Sequence, residues 1–174
     1  MKKLYGNILI FVLSLALVLD VVALATPGWL VTTIDANGIT TWTCNGIFLI
    51  YVGEIYYGKA LTVDETFTAV LLVVSAISLC CAITLTIRTM IGKENHSILT
   101  IELCLAAAIF ILSGIAIYCV LKSNRGYLKH SSLGYSFVLS CISGGLCLVS
   151  SLVAAKIAIL KDDVDDYDDA FLIL

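Results

Sequence analysis

Four stretches of the chain are dominated by apolar residues: Ile8–Ala25, Phe67–Ile87, Ile98–Leu121 and Tyr135–Leu160. Each is close to the ~20 residues of helix needed to cross ~30 Å of hydrocarbon. Inside lipid an unpaired backbone amide is costly, so a crossing segment must be a helix or a strand of a closed barrel. These runs lack the two-residue alternation of a barrel strand and therefore predict four transmembrane helices. Thr62-Val63-Asp64-Glu65 matches a capping box at the start of the second helix, and Arg88 and Gly92 mark its end. The link from Arg88 to Ser97 is short, which sets the second and third helices side by side and antiparallel.

Between the first two helices the pattern changes. Trp29–Ile34 and Ile39–Cys44 read as strands around Asp35-Ala36-Asn37-Gly38, and Asn-Gly is a strong hairpin signal because both residues tolerate positive φ. Ile47–Val52 and Tyr56-Tyr57 extend the same character. The segment 26–66 is therefore expected to form a small antiparallel sheet on one membrane face.

Composition agrees with lipid as the solvent. The 174 residues are 60% hydrophobic and 13% charged, with a mean hydropathy of +1.05; soluble domains are about a quarter charged. Net charge is −3, but six of the thirteen acids fall in Asp162–Asp169, and the remainder without them would be +3. Neither value suits a nucleic-acid binder. There is no linker, so residues 1–174 form a single domain.

Basic residues in the short flanks set orientation. Lys2, Lys3, Arg88, Lys93, Lys156 and Lys161 lie on one side; Lys59, Lys122, Arg125 and Lys129 lie on the other. This bias puts both termini of a multi-pass membrane protein in the cytoplasm. Lys2-Lys3, the run from Ile8 to Leu19 and Ala23-Leu24-Ala25 also fit a cleaved signal peptide, which would leave three spans. The single Asn-x-Ser/Thr triplet, Asn95-His96-Ser97, falls in the inner link.

Thr26-Pro27-Gly28-Trp29 after the first helix, then Trp42 and Cys44 in a strand-rich loop, resemble the claudin and peripheral-myelin-protein superfamily. Gly134-Tyr135-Ser136-Phe137 at the head of the last helix is similar to that family too. The resemblance covers the whole chain and implies a left-handed four-helix bundle bearing an extracellular sheet. It also implies a Trp and two paired cysteines in the first loop. Here Trp42-Thr43-Cys44 has no second cysteine before Cys80, so the loop disulfide should be missing. Cys44 is then free, paired between chains, or bridged to Cys119.

Several residues are candidates for function. Asp20 and Glu102 are acids within predicted spans, where ionisable groups are rare. Glu102 is expected to pair with Arg88 at the inner end, and Asp20 to hydrogen-bond the base of the loop sheet. Asp35, Glu54, Asp64 and Glu65 against Lys59 give the first loop −3; Lys122, Arg125 and Lys129 give the second +3. A path lined by the first loop would favour cations. Ser136, Ser140 and Gly144, with Ala106–Ala108 and Gly114, are small residues suited to helix packing. Asp162–Asp169 reads as an acidic, disordered part of the tail 161–174. Its end, Leu172-Ile173-Leu174, fits a PDZ ligand that binds by strand addition. No CxxC pair, Cys/His ligand spacing or nucleophile–base pair appears, so no metal, cofactor or catalysis is expected.

The resemblance implies a protein of cell–cell contacts. It would form or organise a paracellular barrier or charge-selective path by association of its outer loops. Its partners would be membrane lipid, further copies of itself or related tetraspans in a homo- or hetero-oligomer, and a PDZ scaffold or an ion channel. The alternative is an auxiliary subunit that regulates or traffics an ion channel.

Overall fold

A computed structural model describes residues 2–36, 39–52, 55–58, 61–92, 96–124 and 131–171. Its elements are α1 (Lys2–Ala25), β1 (Leu30–Ala36), β2 (Ile39–Asn45), β3 (Leu49–Val52), β4 (Ile55–Gly58), α2 (Val63–Ile91), α3 (Ser97–Asn124), β5 (Ser131–Leu133) and α4 (Tyr135–Phe171). All four helices are long and apolar enough to cross a membrane. They form a ring in which α1 packs on α2, α2 on α3, α3 on α4 and α4 on α1.

The distribution of polarity is that of a bundle in lipid. Phe11, Ile109 and Leu152 point outward, 69%, 61% and 72% exposed, while Ser75, Ser140, Ser143 and Ser150 are buried. With lipid as solvent there is no gain in hiding a leucine, so close packing and interhelical hydrogen bonds decide the interior. The core accordingly mixes Leu9, Leu13, Leu72, Leu79 and Ile111 with Ala16, Ala107, Ala108 and Cys147. Small residues thin the contacts. A methyl group on Gly144 would lie 3.3 Å from Ile111, and one on Gly114 would lie 3.6 Å from Leu71. Ser143 Oγ donates across to the Ala16 carbonyl at 2.8 Å. The small residues of α3 and α4 named from sequence thus serve packing within the bundle.

The sheet has the order β4-β3-β2-β1-β5. β1 and β2 pair antiparallel from Leu30↔Asn45 to Ala36↔Ile39; the turn residues Asn37 and Gly38 lie outside the described residues. The third strand starts at Leu49 rather than Ile47, because Ile47 is wholly buried and Gly46 N–H turns back to the Leu49 carbonyl at 2.8 Å. A fifth strand, unforeseen from sequence, comes from the segment before α4: β5 pairs with the free edge of β1, Leu30↔Leu133 to Thr32↔Ser131. The acidic run also differs from the expectation. Instead of irregular chain, the backbone of α4 continues as helix through Phe171, because nothing in Asp162–Asp169 breaks the hydrogen-bonded ladder set up in the span.

Candidate junction between sheet and bundle

The turn from α1 into β1 is tied to the head of α4. Ser136 N–H donates to the Gly28 carbonyl at 2.9 Å, Gly134 N–H donates to the Trp29 carbonyl at 3.0 Å, and the Thr26 and Ser136 hydroxyls meet at 2.6 Å. The backbones approach so closely that only glycine fits. A Cβ on Gly134 would lie 2.2 Å from the Gly28 oxygen, and one on Gly46 would lie 2.5 Å from Pro27 Cα. The two motifs quoted from sequence, Thr26–Trp29 and Gly134–Phe137, are therefore the two halves of one contact.

Trp29 fills the space under the sheet. It is wholly buried, its indole N–H donates to the Ala23 carbonyl at 2.7 Å, and its ring packs on Tyr118 and Phe137 at centroid distances of 4.9 and 6.5 Å. The bond to Ala23 satisfies a carbonyl that the end of α1 leaves without a helical partner. Trp29→Phe keeps a ring there but orphans that buried carbonyl, so it should cost about 1–3 kcal/mol. Thermal unfolding in detergent measures it; an unchanged midpoint would mean the bond contributes nothing.

Beside Tyr118 lies a buried ion pair. Lys122 Nζ is 2.8 Å from Glu65 Oε1, with side chains 8% and 1% exposed, and it stands 5.5 Å from the centre of the Tyr118 ring. Glu65 Oε2 also accepts from Thr62 N–H at 3.1 Å, the half of the capping box that closes the first turn of α2. This pairing changes the charge of both outer loops. Glu65 and Lys122 are not loop charges; they neutralise each other between α2 and α3. The reason is the length of α3, which runs to Asn124 and so brings Lys122 opposite Glu65 in the first turn of α2.

The remaining residues named from sequence scatter. Trp42 sits on β2 and is 60% exposed, unlike Trp29. Cys44 is a free thiol between Val31 and Tyr51 on the neighbouring strands. The bridge to Cys119 is not made, since Cys119 is also free. Asp20 does not reach the sheet. It is 1% exposed and accepts from Ser75 Oγ of α2 at 2.5 Å. Its Oδ1 has no hydrogen-bond partner among the described residues. It lies more than a turn before the end of α1 and faces the neighbouring helix, leaving the base of the sheet to Trp29.

Arg88 and Glu102 do not pair either. Both are exposed, and no ion pair joins them among the described residues. Register explains it. Lys122 opposite Glu65 and His96 N–H beside Thr89 Oγ1 set Glu102 level with about residue 84, so Arg88 is roughly one turn closer to the chain termini. Asp35 lies on β1 and Asp64 in the first turn of α2, while Glu54, Lys59 and Leu172–Leu174 lie outside the described residues.

No curated protein matches the chain. A family described as tight junction protein, claudin-like, matches residues 1–162. That match takes in all four spans, the sheet and the junction beneath it. The chain belongs to this claudin-like tight junction protein family.

Proposed function

We propose that this claudin-like membrane protein associates through its sheet at cell–cell contacts and there forms or organises a paracellular barrier or charge-selective path. In this reading the sheet is extracellular and both termini are cytoplasmic. The observation that carries it is a set of exposed apolar side chains on both faces of a rigidly seated sheet: Trp42 on one face is 60% exposed, and Ile55 and Tyr57 on the other are 54% and 50% exposed. Exposed aromatics beyond the lipid are the residues from which protein contacts are built. With Glu65 and Lys122 removed from the tally, Asp35, Glu54 and Asp64 against Lys59 leave the first loop at −2. A path lined by that loop favours cations. Leu172-Ile173-Leu174 would tether the assembly to a PDZ scaffold.

The test is expression in an epithelial layer, with imaging of contacts, transepithelial resistance and dilution potentials. Clustering at contacts with altered resistance supports the reading, and Asp35→Asn with Glu54→Gln should then lower the preference for cations. Absence from contacts together with co-purification of an ion channel would sink it in favour of the auxiliary-subunit role.

A further inference from the structure

Asp20, Ser75 and Ser140 share one level inside the bundle. Asp20 and Ser140 are 1% and 0% exposed, and neither Asp20 Oδ1 nor Ser140 Oγ has a hydrogen-bond partner among the described residues. Ser75 Oγ lies 2.5 Å from Asp20 Oδ2 and 2.7 Å from the Leu72 carbonyl. On α4, Ser136 meets the Thr26 hydroxyl and Ser143 meets the Ala16 carbonyl. Ser140 stands between them on the same face, and so falls level with about residue 20 of α1. Oxygen-bearing side chains from α1, α2 and α4 therefore converge. Thr68 opposite Gly114 and Glu65 opposite Lys122 set about residues 107–112 of α3 at that level. There α3 buries Ala107, Ala108 and Ile111, an apolar wall.

The protein supplies this carboxylate with no counter-charge among the described residues. Their buried charged side chains are Asp20, Glu65 and Lys122. Lys122 is bound to Glu65, which lies about 15 Å from Ser75 along α2. A carboxylate between membrane helices is stabilised by a matched positive charge. Ser75 has a single proton; turned to the Leu72 carbonyl, it leaves the lone pairs of Ser75 Oγ for whatever neutralises Asp20. Oxygen ligands of this kind suit a hard cation. One carboxylate balances one charge, so a monovalent ion fits better than calcium, which is held by more ligands and usually by several carboxylates.

We propose that Asp20, Ser75 and Ser140 bind one sodium-sized monovalent cation inside the bundle. Asp20 balances its charge, and the two hydroxyl oxygens complete the protein's share of the ligands. The ion thereby ties α1, α2 and α4 together at a point where close packing alone would leave two polar atoms orphaned. A water in the same place would join those oxygens but leave the charge unbalanced. Asp20 lies about 7.5 Å from the sheet end of α1, so the ion enters from that side. The site lies among the helices, apart from any path lined by the loop, and does not rest on the barrier reading.

Thermal unfolding of the full-length chain in a neutral detergent tests it. Sodium chloride is replaced stepwise by N-methylglucamine chloride, whose cation is too large for the site, at one pH and one ionic strength. Sodium should raise the melting midpoint by about 5 °C and then saturate, because it binds the folded chain. Asp20→Asn keeps the shape without the charge and should melt alike in both salts. Ser140→Ala should need about tenfold more sodium for half the rise. Ser150→Ala removes another buried hydroxyl without a partner among the described residues, elsewhere on α4, and should respond like the wild type. A wild-type midpoint indifferent to sodium overturns the proposal and leaves Asp20 to a proton or a water. An equal rise in Asp20→Asn also overturns it, as a general effect of salt. Should Asp20→Asn fail to fold, an unchanged half-point in Ser140→Ala overturns it alone.

Discussion

Lys122→Ala should destabilise the bundle by about 3–5 kcal/mol, the usual cost of removing one partner of a buried ion pair. Glu65 is 1% exposed and is held in place by Thr62 N–H at the start of α2. It cannot swing to water, so the substitution leaves a carboxylate without its lysine between the packed ends of α2 and α3. The pair itself is a different matter from its breakage. Replacing both members, Lys122→Met with Glu65→Gln, removes the uncompensated charge and should recover most of the loss, because a buried pair gains little net over a well-packed neutral one. Thermal unfolding of the three proteins in one detergent decides it. If Lys122→Ala melts with the wild type, Glu65 is reached by water and the pair is not buried in the working protein.

Gly134→Val should be at least as damaging, about 4 kcal/mol or more, the range reached when a substitution breaks a backbone contact outright. The added carbon would sit 2.2 Å from the Gly28 oxygen and 2.9 Å from its carbonyl carbon. Both obstacles are main chain, so relief requires parting β1 from the head of α4 and losing both bonds across the junction. Gly28→Ala meets the Tyr135 ring at 2.2 Å instead, and that half-exposed side chain can rotate away; it should cost distinctly less. Gly145 has nothing within 4 Å and serves as the control, where valine should leave the protein unchanged. Surface delivery and a monodisperse peak in detergent are the readouts. Normal delivery of Gly134→Val would show that the close approach at the junction is not required.

The four helices were legible because hydrocarbon thickness fixes their length, and the hairpin was legible because Asn37-Gly38 signals its own turn. Boundaries were less so, and at this protein boundaries decide chemistry. Ending the apolar runs at Phe67 and Leu121 put Glu65 and Lys122 among the solvated loop charges, although each lies within two residues of those ends. The capping box already put Glu65 in the first turn of α2, and the extension of α3 to Asn124 brings Lys122 opposite it as one buried pair. β5 escaped notice because three residues, Ser131–Leu133, carry no alternation of their own and are strand only because the edge of β1 is open beside them. The Arg88–Glu102 expectation failed on register, which no linear pattern reports. The Trp29 role was visible in part: the motif was recognised, but that its indole would close the end of α1 depended on the fold.

Because β5 borrows its residues from just before α4 and β1 follows α1 directly, the sheet is gripped by two helices at once through Gly134–Trp29 and Ser136–Gly28. No slack chain separates it from them along that edge. A bundle that turned about the membrane normal would carry its sheet round by the same angle, and a pull on the sheet would reach α1 and α4 as shear across short main-chain bonds. The heading of the bundle within the plane of the membrane therefore fixes the heading of whatever surface the sheet presents beyond it.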